Sequence, residues 1–318
     1  MSVHQRWVKQ MKNNITGVMP PTEDPFDPSV FYVSDGLFST YSGMRFRQLS
    51  METGEELANV LTRNVTRCIH FEGDYIYAFL DKRIIKLRKN SLAVVDTYRE
   101  KVPNYADYVS MLNDDAFLIG NHNADSLTVF NVQTKQTRRK KIGGCCGIFQ
   151  TERDRFLVFN YHSILAYSPG ENKLCKLTDT ETYVECVMGE SGRAYLLCGG
   201  VGYSGGPQIT SAAYKILIYS LSAEIVLEKT VVIPQEILGG LCSAMHFRLS
   251  KDETRLYLYD ARTVWIYSVH ENKIVFHYTF PSGAALEGIH NVFTDQSFLI
   301  RVSRSGAGCE MSGWEIHF

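Results

Sequence analysis

The chain has 318 residues, 45% of them hydrophobic and 21% charged, which excludes a disordered polypeptide over most of its length. Lys and Arg number 33 against 34 Asp and Glu, a formal net charge of −1, so no global attraction to nucleic acid or an anionic membrane is expected. No apolar run approaches the ~18 residues needed to span a bilayer, and no membrane partner is expected either.

The chain opens with MSVHQRWVKQMKNN, which lacks an apolar stretch and so does not read as a secretory signal. Eight cysteines, at 68, 145, 146, 175, 186, 198, 242 and 309, follow no disulfide-framework spacing. Together these features predict reduced thiols and a cytoplasmic location. Residues 12–28, with Pro20, Pro21, Pro25 and Pro28, read as a connector.

From residue 29 to 318, short β-branched and aromatic runs alternate with Asp, Asn, Gly and Ser turns, the signature of successive strands. The unit is strand, turn, strand, loop, strand, turn, strand, and it is clearest at 68–98, 108–140 and 146–177. A polar turn recurs between its first two strands, at Glu72-Gly73-Asp74, Asn113-Asp114-Asp115, Glu152-Arg153-Asp154, Glu190-Ser191-Gly192, Lys251-Asp252-Glu253 and Thr294-Asp295-Gln296. Such side chains hydrogen-bond their own backbone in tight turns. Third strands repeat as well: Leu127-Thr128-Val129-Phe130, Ile216-Leu217-Ile218-Tyr219 and Val264-Trp265-Ile266-Tyr267 are near copies.

First strands aligned on Cys68, Tyr108, Cys146, Cys186, Met245 and Ile289 are 40, 38, 40, 59 and 44 residues apart. A period near ~40 is that of a propeller blade. The step of 59 contains an insertion around the Gly-rich stretch 199–207. One period before Cys68 lies Val30, in SVFYVSD, expected to be the first strand of a seventh unit. The last unit ends in its third strand, Gly313–Phe318, and the missing fourth is expected from Val3–Met11, which closes the ring, the alternative being a frayed N-terminal tail and a three-stranded last blade. The expected fold is therefore all-β: one domain over 1–318, a seven-bladed β-propeller of four-stranded antiparallel blades, with 1–28 as closing strand and connector.

This unit, with its strand-final aromatic residues, resembles the blades of WD-repeat proteins over essentially the whole chain. Tyr167-Ser168, Tyr219-Ser220 and Tyr267-Ser268 stand where those blades end in Trp-Asp, and no blade carries the Gly-His that opens them. The resemblance implies a WD40-like interaction scaffold rather than a reaction.

Gly200-Val201-Gly202-Tyr203-Ser204-Gly205 matches a dinucleotide fingerprint, but the strand 214–219 follows it where a helix N-terminus is required. A long loop between second and third strands accounts for it better, and Arg304–Ser312 reads as a second such extension. Loops of this kind leave one face of a propeller. They present Asp81, Arg83, Asn121, His122, Asp125, Tyr161, His162, Tyr203, Asp260, Arg262, Arg301 and Arg304 around one mouth of the central channel. Convergent polar groups there suit a binding rim, with turn chemistry on a solvated edge as the plainer alternative. His122 and His162 lie on different blades without ligand-pair spacing, so no metal is expected. Cys68, Cys146 and Cys186 on first strands read as core packing radiating about the axis, and His70, His246 and His290 as core or channel histidines.

Arg138, Arg139, Lys140 and Lys141 fall on an outer strand. Either they discourage edge pairing or they dock an acidic partner. Nothing in the sequence calls for a cofactor or supplies a catalytic set. The expected function is a non-catalytic scaffold or complex subunit whose partners are proteins, not nucleic acid. The alternative is a lactonase-like or lyase-like propeller taking a small molecule at the channel mouth.

Overall fold

The computed structural model describes residues 2–15, 18–36, 43–122, 125–152, 155–199, 214–222, 224–281, 287–305 and 308–318. The chain is a seven-bladed β-propeller of four-stranded antiparallel sheets. Blade 1 is Thr22–Asp24, Asp27–Ser34, Arg45–Ser50 and Glu56–Leu61; blade 2 is Thr66–Glu72, Tyr75–Leu80, Arg83–Arg88 and Val94–Tyr98. Blade 3 is Tyr108–Asn113, Ala116–Gly120, Ser126–Asn131 and Thr137–Lys141; blade 4 is Gly147–Glu152, Arg155–Asn160, Ser163–Ser168 and Lys173–Asp179. Blade 5 is Tyr183–Met188, Arg193–Cys198, Lys215–Leu221 and Ile225–Val232; blade 6 is His246–Leu249, Arg255–Tyr259, Thr263–Ser268 and Lys273–Thr279. Blade 7 is Glu287–Phe293, Phe298–Ser305, Gly308–His317 and, from the other end of the chain, Ser2–Met11.

The composition of each strand follows its place. Second strands such as YIYAFL and AFLIG are buried along nearly their whole length, so they are apolar on both faces. Fourth strands are more exposed: Glu56–Leu61 alternates half-buried and exposed residues, and Thr137–Lys141 is mostly exposed and carries four cations. Within each unit, apolar core clusters lie between successive blades. Two compact units divide the chain: Met1–Glu100 with Tyr257–Ile266 and Ile274–Phe318, and Lys101–Leu256 with Tyr267–Lys273.

In the first unit, Trp7, Phe31, Leu49, Phe293, Phe298 and Met311 form one core cluster. The closing strand expected from the sequence is there. It pairs antiparallel with Gly308–His317, from Ser2 opposite His317 to Met11 opposite Cys309. Trp7 anchors it: the side chain is buried, Nε1 donates to the Met51 carbonyl at 2.9 Å, and the indole stacks on Phe31 with centroids 6.1 Å apart. Gly54 permits that approach, because at φ +69° it suits a left-handed backbone and a Cβ there would lie 2.6 Å from the indole.

Two sequence expectations are corrected here. Val30 lies on the second strand of blade 1, not the first; Thr22–Asp24 is the first, inside the stretch read as a connector, so the blades begin before residue 29. Arg304–Ser312 is not a loop extension. Its described residues continue a long hairpin in which Arg304 pairs with Cys309 and Ser303 with Glu310, and the third strand pairs with the closing strand in turn.

In the second unit, the first strands of blades 3, 4, 5 and 6 are neighbours in succession. One core cluster joins Leu118 and Leu127 to Phe156, Val158 and Tyr167; another joins Leu157 and Phe159 to Tyr183, Leu196 and Leu217. The polar turns do what their composition predicts. The Asn113 carboxamide accepts from the Asp115 amide at 3.1 Å, and Asp252 accepts from Ser250 Oγ at 2.6 Å and the Thr254 amide at 3.1 Å.

Candidate partner-binding rim

In the second unit, the connection leaving Ala116–Gly120 brings Asn121 and His122 against the link that enters blade 3. Asn121, buried, donates through Nδ2 to the Tyr105 carbonyl and to Asp107 Oδ2, the latter at 2.9 Å. The His122 amide donates to the same Asp107 oxygen at 3.1 Å. The imidazole is bracketed by two hydroxyls: Nε2 lies 3.1 Å from Tyr108 Oη and Nδ1 lies 3.2 Å from Tyr161 Oη. Tyr161 Oη also donates to the His122 carbonyl at 3.2 Å. A proton on Nδ1 satisfies all three contacts, with Nε2 accepting from Tyr108.

The sequence permits this arrangement at Gly144. Its φ is +98°, and a Cβ there would stand 2.7 Å from the Tyr161 ring and 3.2 Å from the His122 carbonyl. Cys145 and Cys146 follow, buried, with Cys186 Sγ donating to the Cys146 carbonyl at 3.3 Å. Cys145, Cys146 and Cys186 thus lie in one neighbourhood rather than radiating apart, while Cys68 belongs to the other unit. Burial pushes the Cys145 thiol up to about 12 and those of Cys146 and Cys186 well above their ordinary value. Burial likewise raises Tyr108 and Tyr161, so both hydroxyls stay protonated and serve as hydrogen-bond donors. Among the described residues no group of three His, Cys, Asp or Glu has metal-holding geometry.

The remaining rim residues separate into structural and accessible ones. His162 is exposed, its Nδ1 3.0 Å from Thr182 Oγ1, and Asp125 is exposed. Tyr203 lies outside the described residues, as does the stretch 200–213.

In the first unit, Asp260 is buried and builds its own turn, accepting from the amides of Arg262 and Thr263 at 2.7 Å each, while Arg262 is exposed. Asp81 lies 3.8 Å from Arg67 Nε, and the Arg83 guanidinium donates to the Thr62 carbonyl. Burial, then the charges of Arg99 and Arg63, lowers the Arg83 pKa. Arg301 and Arg304 are strand residues: one guanidinium covers the Phe280 ring at 4.1 Å, and the other contacts the Ile15 carbonyl at 3.5 Å.

The first-strand histidines are held by the fold. His246 Nδ1 is 3.4 Å from Glu185 Oε2, while Arg248 donates to Oε1 at 2.6 Å. Burial raises the Glu185 carboxyl, and these two partners outweigh it, leaving its pKa below the usual value. Burial, aided by Arg304, depresses His290 to about 4, and burial also lowers His70, opposed by Glu72.

Sequence reasoning missed Tyr105, Asp107 and Tyr108, because it searched the connections within blades and not the links between them. Tyr105 is the conspicuous one. It is 53% exposed and sits at φ +56°, a backbone conformation that bulky residues rarely hold, with Asn121 on its carbonyl.

No protein-family model matches the chain, and no curated protein matches it in sequence. Solved structures do match. BamB from Moraxella catarrhalis is similar with a TM-score of 0.55 over 98% of this chain and 87% of that chain, at 13% sequence identity. At that identity the likeness is one of fold alone.

Proposed function

We propose that the protein is a non-catalytic interaction module that grips a partner protein through the rim of its second unit, with Tyr105 as anchor and His122, Asp125 and His162 around it. The observation that carries this reading is Tyr105: an exposed aromatic held on a left-handed backbone by a hydrogen bond from buried Asn121. Aromatic residues dominate binding energy when they are presented rigidly, since little side-chain freedom is then lost on contact. The propeller fold supports the reading by holding loops on fixed strand ends.

A photo-crosslinking amino acid placed at position 105 should capture a discrete partner in extracts of the native cells, and one at position 251 should not. Tyr105→Ala, and Asn121→Ala, which releases the anchor, should each weaken that partner about tenfold or more. Equal capture from positions 105 and 251 defeats the reading. His122, half-buried between two hydroxyls, favours a second reading in which a small polar molecule occupies the same place. A metabolite screen by thermal shift tests it, a hit raising the melting temperature of the native chain but not of His122→Ala.

A further inference from the structure

The outer strand of blade 3, Thr137–Lys141, ends its sheet, so one of its backbone edges is unpaired within that sheet. Arg138, Arg139 and Lys141 on it are exposed and Lys140 is half-buried. Beside it, between blades 3 and 4, runs an open groove of about 490 Å³ lined by Lys140, Lys141, Glu171, Asn172, Lys173 and Leu174. The groove has a firm floor. Leu174 packs on the core cluster that joins the two blades, and Asn172 accepts from the hydroxyl of buried Tyr167 at 3.1 Å. Arg138, Arg139, Lys140, Lys141 and Lys173 have no ion-pair partner among the described residues, whereas nearby Lys176 is paired with Asp179 at 2.8 Å.

A chain of net charge −1 thus gathers four cations on one strand edge and a fifth on its facing turn, and three of them, Lys140, Lys141 and Lys173, line the concavity with Glu171 as its one carboxylate. Lysine on an edge strand repels ordinary strands. The same charges welcome an anionic one, so the device that prevents indiscriminate pairing becomes a selectivity filter. We infer that this groove binds an extended acidic peptide segment, which adds along the Thr137–Lys141 edge and sets its carboxylates against Lys140, Lys141 and Lys173.

Other polyanions fit less well. Single-stranded nucleic acid calls for aromatic platforms on which bases stack, and the six lining residues include none. A lipid headgroup layer meets projecting basic surfaces, and here the lysines line a recess. An extended segment of about five residues spans roughly 17 Å, the length of the five-residue edge strand. The groove shares no residue with the rim around Tyr105, so each can fail without the other.

The test uses a fluorescein-labelled peptide of alternating glutamate and valine, titrated with the full chain and read by anisotropy. The native chain should bind it, more weakly as salt rises, and the Gln-for-Glu peptide should bind at least about tenfold less well. K140E/K141E/K173E should lose about tenfold or more, while K251E, a reversal of an exposed lysine elsewhere, and Tyr105→Ala should leave affinity unchanged. Circular dichroism confirms that each variant keeps its strands. Equal binding by the triple variant overturns the inference. So does equal binding of the glutamine peptide, or tighter, groove-dependent binding of oligo-dT or phosphatidylserine vesicles.

Discussion

Gly144 shows how a single position admits the rest of a site. Any side chain there meets both a strained φ of +98° and the Tyr161 ring. Gly144→Ala should therefore cost about 2 kcal/mol or more in denaturant unfolding, whereas Gly170→Ala, with nothing within 4 Å, should be nearly neutral. The buried thiols carry a second prediction. Folding holds protons on Cys145 and Cys198 from the ordinary 9.0 up to about 12. Their contribution to stability is complete below about pH 9 and is lost as pH climbs toward 12. Iodoacetamide should accordingly label exposed Cys175 and Cys242 in the native protein and spare Cys145, Cys146, Cys186 and Cys198 until unfolding, read by peptide mass spectrometry. His290 works in the opposite sense. Burial keeps it neutral down to about 4, so stability present above 6.5 is lost as pH falls through about 4. His290→Gln should flatten that acid limb in a pH series of melting curves.

The closing strand is anchored by one buried indole. Trp7→Ala removes the indole from its place among Phe31, Phe298 and Gly54 and leaves the Met51 carbonyl without its donor. A loss of about 3–5 kcal/mol is expected in guanidinium unfolding, against little change for Val8→Ala, whose side chain is 47% exposed. The strand was legible in the sequence because the last unit is one strand short, and an open sheet edge requires a partner. The first strand of blade 1 was not. Thr22–Asp24 is three residues long and flanked by Pro21 and Pro25, which remove backbone donors, so the composition says connector while the pairing with Asp27–Ser34 says strand. Arg304–Ser312 misled in the same way: Gly, Ser and Cys suggest a loop, while the closing strand alongside supplies a ladder to its described residues from Cys309 on.

At the level of the whole chain, a period near ~40 residues was enough to give the architecture, because buried second strands such as Tyr75–Leu80 and Ala116–Gly120 alternate with more exposed fourth strands such as Glu56–Leu61 and Thr137–Lys141. The site was only half legible. Connections within a blade announce themselves by turn residues, so His122 and His162 stood out, but the role proposed for Tyr105 comes from where the inter-blade link lies against Asn121. Pairing Ser2–Met11 with Gly308–His317 joins the most distant parts of the sequence, and such contacts form late because the intervening chain must first be ordered. With Trp265 and Trp314 replaced by Phe, the Trp7 fluorescence should therefore reach its native value after the far-UV signal has recovered in stopped-flow refolding. Synchronous recovery contradicts this.

Ser2 stands directly opposite His317, so the first and last strands of the chain adjoin in one blade. A short linker from residue 318 back to residue 1 therefore needs to bridge only neighbouring strands, and new ends opened at the exposed turn near Gln133 leave that ladder covalently continuous. In such a permuted chain the last ladder to form becomes an ordinary hairpin. The order of assembly is then a property of where the chain is cut, with the same blades at the end of either route.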